Sequence, residues 1–176
     1  MRIFVAFGLV TAFALSSFAT MSALADDDEA DWVAIMNGAN ERPDPRITRA
    51  RGAALFFMND DGTLDYKILV ANINNVFAAH IHCGSAAVAG PVGVTLYIGS
   101  VASGRFNGVL VRGTISAPDS PATNACGWNT LAEVIEAMNG PDTYVNVHTN
   151  DGVAPTNTGP GDFPGGEIRG QLMVAD

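Results

Sequence analysis

The fold is decided by residues 76–97, VFAAHIHCGSAAVAGPVGVTLY. This stretch predicts a strand, a Gly/Ala/Pro-containing connection and a second strand. Side chains alternate between the two faces of a strand, and one face of the first strand is apolar. The residues predicted to point into the core are Phe77, Ala79, Ile81 and Cys83. The opposite face is predicted to carry Val76, Ala78, His80 and His82, so that two imidazoles project side by side.

The rest of the chain continues this pattern of short strands and turns. Asn59-Asp60-Asp61-Gly62 is a strong turn signal between two apolar runs, and it predicts a hairpin over residues 50–71. The predicted strands cover residues 32–39, 50–58, 64–71, 76–83, 92–98, 108–115, 143–148 and 166–173. This succession predicts an all-β fold, an antiparallel immunoglobulin-like or superoxide-dismutase-like sandwich or barrel.

One short helix interrupts the strands. Thr130 and Glu133 have the spacing of a capping box, which satisfies free amides at a helix start. The apolar stripe of the predicted helix follows at i, i+3, i+4 and i+7, with Leu131, Val134, Ile135 and Met138. Asn139-Gly140-Pro141 ends it.

The N-terminus predicts export. Residues 1–25 have a basic start, a long apolar segment and the cleavage-site pattern Ala23-Leu24-Ala25, which are typical of a secretory signal peptide; a membrane anchor is the alternative. Residues 26–31 are predicted to be a disordered acidic leader, and residues 32–176 a single domain. The mature protein is expected in the periplasm or outside the cell, without a membrane span.

Charge restricts the class of partner. Signal cleavage leaves 176 − 25 = 151 residues with a formal charge of 8 − 18 = −10. Such a surface repels nucleic acid and anionic lipid headgroups, so neither is expected as a partner. A metal cation and an extracytoplasmic protein remain the candidate partners.

The two cysteines, Cys83 and Cys126, are predicted to form a disulfide, because exported proteins meet an oxidising environment. An alternative is that Cys83 serves as a soft metal ligand beside His82.

The three histidines of the chain form a candidate metal site. His80, His82 and His148 each lie on the non-core face of a predicted strand. If the strands carrying His82 and His148 are neighbours, three neutral imidazoles meet and suit copper or zinc. Glu167 or Asp162 is the predicted fourth ligand or outer-shell partner. The alternatives are three histidines without a ligand, and a calcium site in the loop over residues 149–165.

Several blocks of the sequence resemble the CHRD domain, the module named for chordin. They are AAHIHCGSAAVAGPVGVTLY, GTI at 113–115, TLAEVIEAM, and YVNVHTND followed by GGEIRGQL. The resemblance covers residues 33–173 and implies an immunoglobulin-like β-sandwich or barrel with limited likeness to copper–zinc superoxide dismutases. In those enzymes a His-x-His strand pair holds copper, and His80 and His82 match it. The dismutase site needs more histidines than the three present here, so dismutase activity is not expected.

Three functions follow from the sequence. The first is a non-enzymatic exported CHRD-domain binding protein that holds a copper or zinc ion through surface histidines. The second is a small copper-dependent redox metalloenzyme that uses the same site with an open coordination position. The third is a structural or protein-interaction domain whose histidines bind nothing.

Overall fold

The computed structural model describes residues 29–175, and the predicted signal peptide lies outside the described residues. The predicted leader is described only from Glu29 onward. Its last residue, Asp31, already pairs with the sheet: its N–H donates to the carbonyl of Phe56 at 2.8 Å, and its carbonyl accepts from Ala175 at 2.9 Å. Within residues 29–175, no helix combines the length and apolarity needed to cross a membrane.

Eight antiparallel strands and one helix make up the domain. The elements are β1 (Trp32–Asn37), β2 (Arg51–Met58), β3 (Leu64–Asn74), β4 (Val76–Cys83), β5 (Val92–Ile98), β6 (Arg105–Ile115), α1 (Leu131–Met138), β7 (Thr143–Thr149) and β8 (Ile168–Val174), with a 3₁₀ turn at Gly38–Asn40. The strands form one sheet in the order β5-β4-β7-β8-β1-β2-β3-β6, which curls into a nearly closed barrel. Tyr66 on β3 donates to the carbonyl of Leu96 on β5 at 2.6 Å and helps to close it. The predicted all-β fold is confirmed.

Most predicted elements lie where the sequence placed them. The bounds of β4, β5 and α1 match the prediction, and the 50–71 hairpin is confirmed by the pairing of β2 with β3. The capping box is also confirmed, since the Thr130 hydroxyl accepts from Glu133 N–H at 3.3 Å and the Glu133 carboxylate accepts from Thr130 N–H at 3.1 Å. β3 and β6 are longer than predicted. The first strand was predicted to reach residue 39, but it ends at Asn37 and the 3₁₀ turn follows it.

The apolar core fills the inside of the barrel. Its largest members include Trp32, Met36, Phe56, Leu64, Ile68, Ile73, Ile81, Val134, Met138, Ile168 and Leu172. The helix contributes Val134 and Met138 to this core. It is also held at its end by a hydrogen bond from the Trp32 indole to the Asn139 side chain at 3.0 Å.

A β-bulge at Phe77 corrects the predicted facing of the first residues of β4. Val76 pairs with Thr149 and Ala78 pairs with His148, so Phe77 is an extra residue that has no partner on β7. Val76 therefore joins the core, and the ring of Phe77 lies 6.1 Å from that of His148. The predicted positions of Val76 and Phe77 were wrong, whereas the alternation from Ala79 to His82 follows the prediction.

The predicted disulfide is present. Cys83, at the end of β4, is bonded to Cys126, with a Cα–Cα distance of 5.8 Å. Both sulfurs are therefore engaged, and the alternative in which Cys83 is a metal ligand is excluded.

Candidate metal centre

The strands β4, β7 and β8 place a group of polar side chains on one side of the sheet. These strands are neighbours, as the prediction for His82 and His148 required. Their register sets two rows across the sheet: His82–Tyr144–Gln171 and His80–Asn146–Arg169. His148 lies on β7 opposite Ala78. We call this set of side chains the polar layer; it faces away from the apolar core.

The polar layer is buried, which corrects the prediction of surface histidines. His82 is 6% exposed and His148 is 7% exposed, and only His80 is half-buried. The connection over residues 84–91 and the loop over residues 150–167 both contact the layer through carbonyl groups. This cover depends on tertiary contacts, which the alternation of polar residues along a strand does not reveal.

The three histidines converge. One ligand nitrogen from each of His80, His82 and His148 lies within 4.8 Å of the other two. The closest pair is Nδ1 of His80 and Nε2 of His148 at 3.1 Å. The site therefore brings together all three histidines that the sequence predicted.

Backbone carbonyls orient two of the three rings. Nδ1 of His82 donates to the carbonyl of Gly90 at 2.9 Å, and Nδ1 of His148 donates to the carbonyl of Pro164 at 2.9 Å. A carbonyl oxygen only accepts, so these nitrogens carry the protons and Nε2 keeps its lone pair. Nε2 of His82 is buried without a hydrogen-bond partner. This is the arrangement found for metal-ligating histidines.

Burial keeps the imidazoles neutral. It lowers the pKa of His82 to about 4 and that of His148 to about 3. It also lowers the pKa of His80, although the nearby Asp119 carboxylate opposes this change. Because a metal binds the neutral imidazole, all three rings are in the ligand form at pH 7.

A stack of side chains supports His82. Its ring lies 4.8 Å from the ring of Tyr144 with an interplanar angle of 11°. The Arg169 guanidinium carbon lies 3.4 Å from the centroid of the Tyr144 ring. Arg169 also donates to the carbonyls of Val88 and Ser85, each at 2.7 Å. The stack thereby fixes the connection that carries Gly90, the hydrogen-bond partner of His82.

The sequence missed the role of Tyr144 and Arg169. Strand alternation alone puts both side chains on the face away from the apolar core and predicts exposure, whereas the structure shows them only 2% and 1% exposed. The Tyr144 hydroxyl donates to the Gly90 carbonyl at 3.1 Å and accepts from the Gly90 N–H at 2.9 Å. The available signal was strand alternation. Tyr144 lies on the same face of β7 as Asn146 and His148, and Arg169 is the partner of Asn146 on β8.

The predicted acids lie outside the histidine group. The Glu167 carboxylate accepts from the hydroxyls of Thr48 and Thr149, at 2.6 and 2.7 Å, and from Gly161 N–H at 2.8 Å. Glu167 therefore stabilises the loop whose Pro164 carbonyl orients His148.

Asp162 uses one carboxylate oxygen within the same loop. Its Oδ2 accepts from the N–H and the hydroxyl of Thr158, both at 2.9 Å, and its Oδ1 has no partner. Asp151, from the calcium alternative, accepts from Val153 N–H at 2.8 Å. Within the described part of the chain, the three histidines are the one group of at least three His, Cys, Asp or Glu donors close enough to share an ion.

Comparison with models of protein families identifies a family for this chain. The model of the CHRD domain matches residues 32–172, which include all three histidines and both cysteines. The chain belongs to the CHRD domain family. No curated protein matches it. The resemblance of the HIH and YVNVHT…GEIRGQ blocks to this family is thereby confirmed, and those blocks form β4, β7 and β8 of the CHRD domain.

The three histidines of this CHRD domain fit a small transition-metal ion. Zinc lies about 2.0–2.1 Å from imidazole nitrogens, which puts tetrahedral ligand pairs about 3.3–3.5 Å apart. The nitrogens here lie between 3.1 and 4.8 Å from one another, so side-chain adjustments of about an ångström suffice. Nδ1 of His80 donates to Nε2 of His148, and a shift of that proton to Nε2 of His80 would turn Nδ1 into a ligand.

Proposed function

We propose that this CHRD domain is an exported, non-enzymatic protein that binds a copper or zinc ion through His80, His82 and His148. The observation that carries the proposal is the buried Nε2 of His82, which has no hydrogen-bond partner, on a ring that offers a nitrogen within 4.8 Å of ligand nitrogens from the other two rings. An unpaired buried acceptor costs about 1–3 kcal/mol, and a bound cation removes this cost.

The donor set favours copper and zinc over harder ions. Three neutral imidazoles suit both metals, and Cu²⁺ generally binds nitrogen sites more tightly than Zn²⁺ does. Calcium and magnesium prefer oxygen ligands, which the histidine group does not supply. Export through the predicted signal agrees with the Cys83–Cys126 disulfide, because disulfides persist in oxidising compartments.

A copper-dependent redox enzyme is the second candidate. It is favoured by the three-ligand set, since no carboxylate belongs to the close group and a fourth position is left for water or a substrate. Turnover assays on the copper-loaded domain separate this candidate from simple binding. Turnover by the copper-loaded wild-type domain that is absent from the histidine variant described below would favour the enzyme.

Metal titration tests the proposal. Calorimetric titration of the refolded domain with Zn²⁺, and competition titration with Cu²⁺, should give one tight site, and His80→Ala/His82→Ala should weaken it more than 100-fold. At a free-metal concentration of 100 Kd the domain should gain about 2.7 kcal/mol of unfolding free energy. Asp60→Asn, in the exposed turn between β2 and β3, is the control for loose binding to the acidic surface.

The opposite result would identify the third function. If the wild-type chain binds both metals no better than the double-histidine variant, the histidines have no metal-binding role. The domain would then be a structural or protein-interaction module.

A further inference from the structure

Glu41 is a buried acid that is hydrogen-bonded to the polar layer and has no ion pair. It follows the 3₁₀ turn after β1 and is 2% exposed. Its Oε2 accepts one hydrogen bond, from the Asn146 side-chain amide at 3.2 Å. Its Oε1 has no partner. A buried carboxylate with a single neutral donor is poorly stabilised, because burial penalises its charged form.

Asn146 supplies the complementary unpaired group. Its Nδ2 donates to Glu41, and its Oδ1 is buried without a partner. The two unpaired atoms, Glu41 Oε1 and Asn146 Oδ1, thus belong to the same carboxyl–amide pair, and both are acceptors while Glu41 is ionised. A single proton on Oε1 makes it a donor for Oδ1. Such a proton would allow the acid and the amide to share two hydrogen bonds.

The register places this pair next to the histidines. Asn146 lies directly opposite His80 on β4 and two residues before His148 on β7. Glu41 itself contacts none of the three histidines by hydrogen bonding; its bonded side-chain partner is Asn146. Asn146 therefore connects the Glu41 carboxyl group to the strand positions that carry His80 and His148.

We propose that Glu41 is the proton-exchanging partner of the histidine site: it holds a proton while the histidines hold no cation and releases it when they bind one. The inference rests on the proposed metal binding and names the group that offsets the ion's charge. In the exchange the O–H bond of the carboxyl group breaks, the proton leaves to solvent and the carboxylate remains. No electron is transferred.

The charged groups around Glu41 set this balance. Arg169 on β8 and Arg46 in the loop before β2 favour the carboxylate, and Glu167 opposes it. Burial outweighs the effect of the two arginines and raises the pKa of Glu41 to about 7. The guanidinium of Arg169 gives its hydrogen bonds to Val88, Ser85 and Gln171, so it does not pair directly with Glu41. One or two further positive charges from a metal ion would shift the balance to the carboxylate.

Proton release on zinc binding tests the proposal. Calorimetric titration with Zn²⁺ at pH 6 in buffers of different ionisation enthalpy gives the number of protons released. The wild-type domain should release about one more proton than Glu41→Gln, and its zinc affinity should rise up to tenfold per pH unit between pH 5.5 and 7. Glu41→Gln should show a clearly shallower rise, which the wild type exceeds by up to tenfold per pH unit. Glu136→Gln, on the exposed side of α1, is the matched control and should behave like the wild type.

Glu41→Gln also controls for folding. A glutamine keeps the shape of the protonated acid, donates through its amide to Asn146 Oδ1 and accepts from Asn146 Nδ2. The variant should therefore fold and melt like the wild type at pH 6, which thermal unfolding checks. A carboxyl ¹³C NMR titration of the metal-free domain gives a second measurement, in which Glu41 should titrate well above ordinary glutamates and should lose its proton on zinc addition.

The outcomes separate the two proposals. If the wild type binds Zn²⁺ but Glu41→Gln releases the same number of protons, or if Glu41 titrates near 4.5 in the metal-free domain, the role of Glu41 is refuted and metal binding stands. If the wild type binds neither Zn²⁺ nor Cu²⁺, the metal site itself is refuted, and this inference fails with it.

Discussion

Lowering the pH from 7 to 4 should destabilise the metal-free domain, because its buried histidines stay neutral in the folded state. Burial lowers the pKa of His82 to about 4 and that of His148 to about 3, from an ordinary value of 6.5. Below pH 6.5 the unfolded chain therefore binds protons that the folded domain does not. The stability from the neutral histidines is complete above pH 6.5 and is lost as the pH falls through the folded pKa values.

The magnitude follows from the size of these changes in pKa. One pKa unit corresponds to about 1.4 kcal/mol, so by pH 4 His82 and His148 together remove about 6 kcal/mol of unfolding free energy. Glu41 acts in the opposite direction, because its folded pKa of about 7 lies above the ordinary 4.5. Its earlier protonation in the folded state restores about 3 kcal/mol. The expected net loss is about 3 kcal/mol, a large part of the roughly 5–15 kcal/mol of a typical domain.

Urea unfolding measures this loss at pH 7, 5.5 and 4, with EDTA present and the disulfide intact. His148→Asn is the matched variant, because its side-chain amide can still donate to the Pro164 carbonyl but does not titrate. By pH 4 His148 accounts for about half of the histidine effect, or about 3 kcal/mol. Between pH 7 and pH 4 the unfolding free energy of His148→Asn should therefore fall by about 3 kcal/mol less than that of the wild type.

Two results would refute this reasoning. One is a wild-type domain whose unfolding free energy is the same at pH 7 and pH 4. The other is an equal loss in the wild type and in His148→Asn, which would assign the acid sensitivity to carboxylates elsewhere. Either result would mean that the folded domain accepts protons on these rings at ordinary pH values.

Two further changes test the supports of the site. Replacing Cys83 and Cys126 together by alanine should lower the free energy of unfolding in urea by about 4 kcal/mol. This is the chain-entropy value for a sequence separation of 43 residues. An unchanged urea midpoint of unfolding would contradict the prediction. Arg169→Lys should lower it by about 2–3 kcal/mol, because a lysine cannot donate to the Val88 and Ser85 carbonyls together from the same position over Tyr144. The same variant should weaken zinc binding, and an affinity equal to that of the wild type would show that the connection over residues 84–91 holds His82 without it.

The parts of the fold that could be predicted are those that depend on neighbours in sequence. The alternation in β4, the turn after β2 and the Thr130–Glu133 capping box each use residues within a few positions of one another. The convergence of His82 and His148 was a conditional prediction, since it required β4 and β7 to be neighbours. Their pairing joins residues more than 60 positions apart, and only the assembled sheet establishes it.

The parts that could not be predicted depend on single insertions and on distant contacts. The bulge at Phe77 adds one residue to β4, and nothing in the local alternation of apolar residues marks it. Burial of the polar layer requires Arg169 to bind carbonyls of the 84–91 connection and Glu167 to bind Thr48 and Thr149. Glu41 lies more than 100 residues from Asn146 in the chain, so no spacing motif connects them.

The unpaired buried atoms explain why the polar layer is better suited to exchanging a proton for a cation than to a purely structural role. Of the four buried side-chain atoms without partners in residues 29–175, two belong to this layer, His82 Nε2 and Asn146 Oδ1, and a third is Oε1 of Glu41, which is bonded to Asn146. All three are acceptors, so hydrogen bonds among them cannot remove the cost unless a positive species enters. A proton on Glu41 would satisfy two of them while no cation is bound, and a metal ion at the histidines would satisfy the third after that proton has left. The carboxylate that remains after proton release is then stabilised by the charge of that ion, so a cation bound at the histidines replaces a proton held at Glu41.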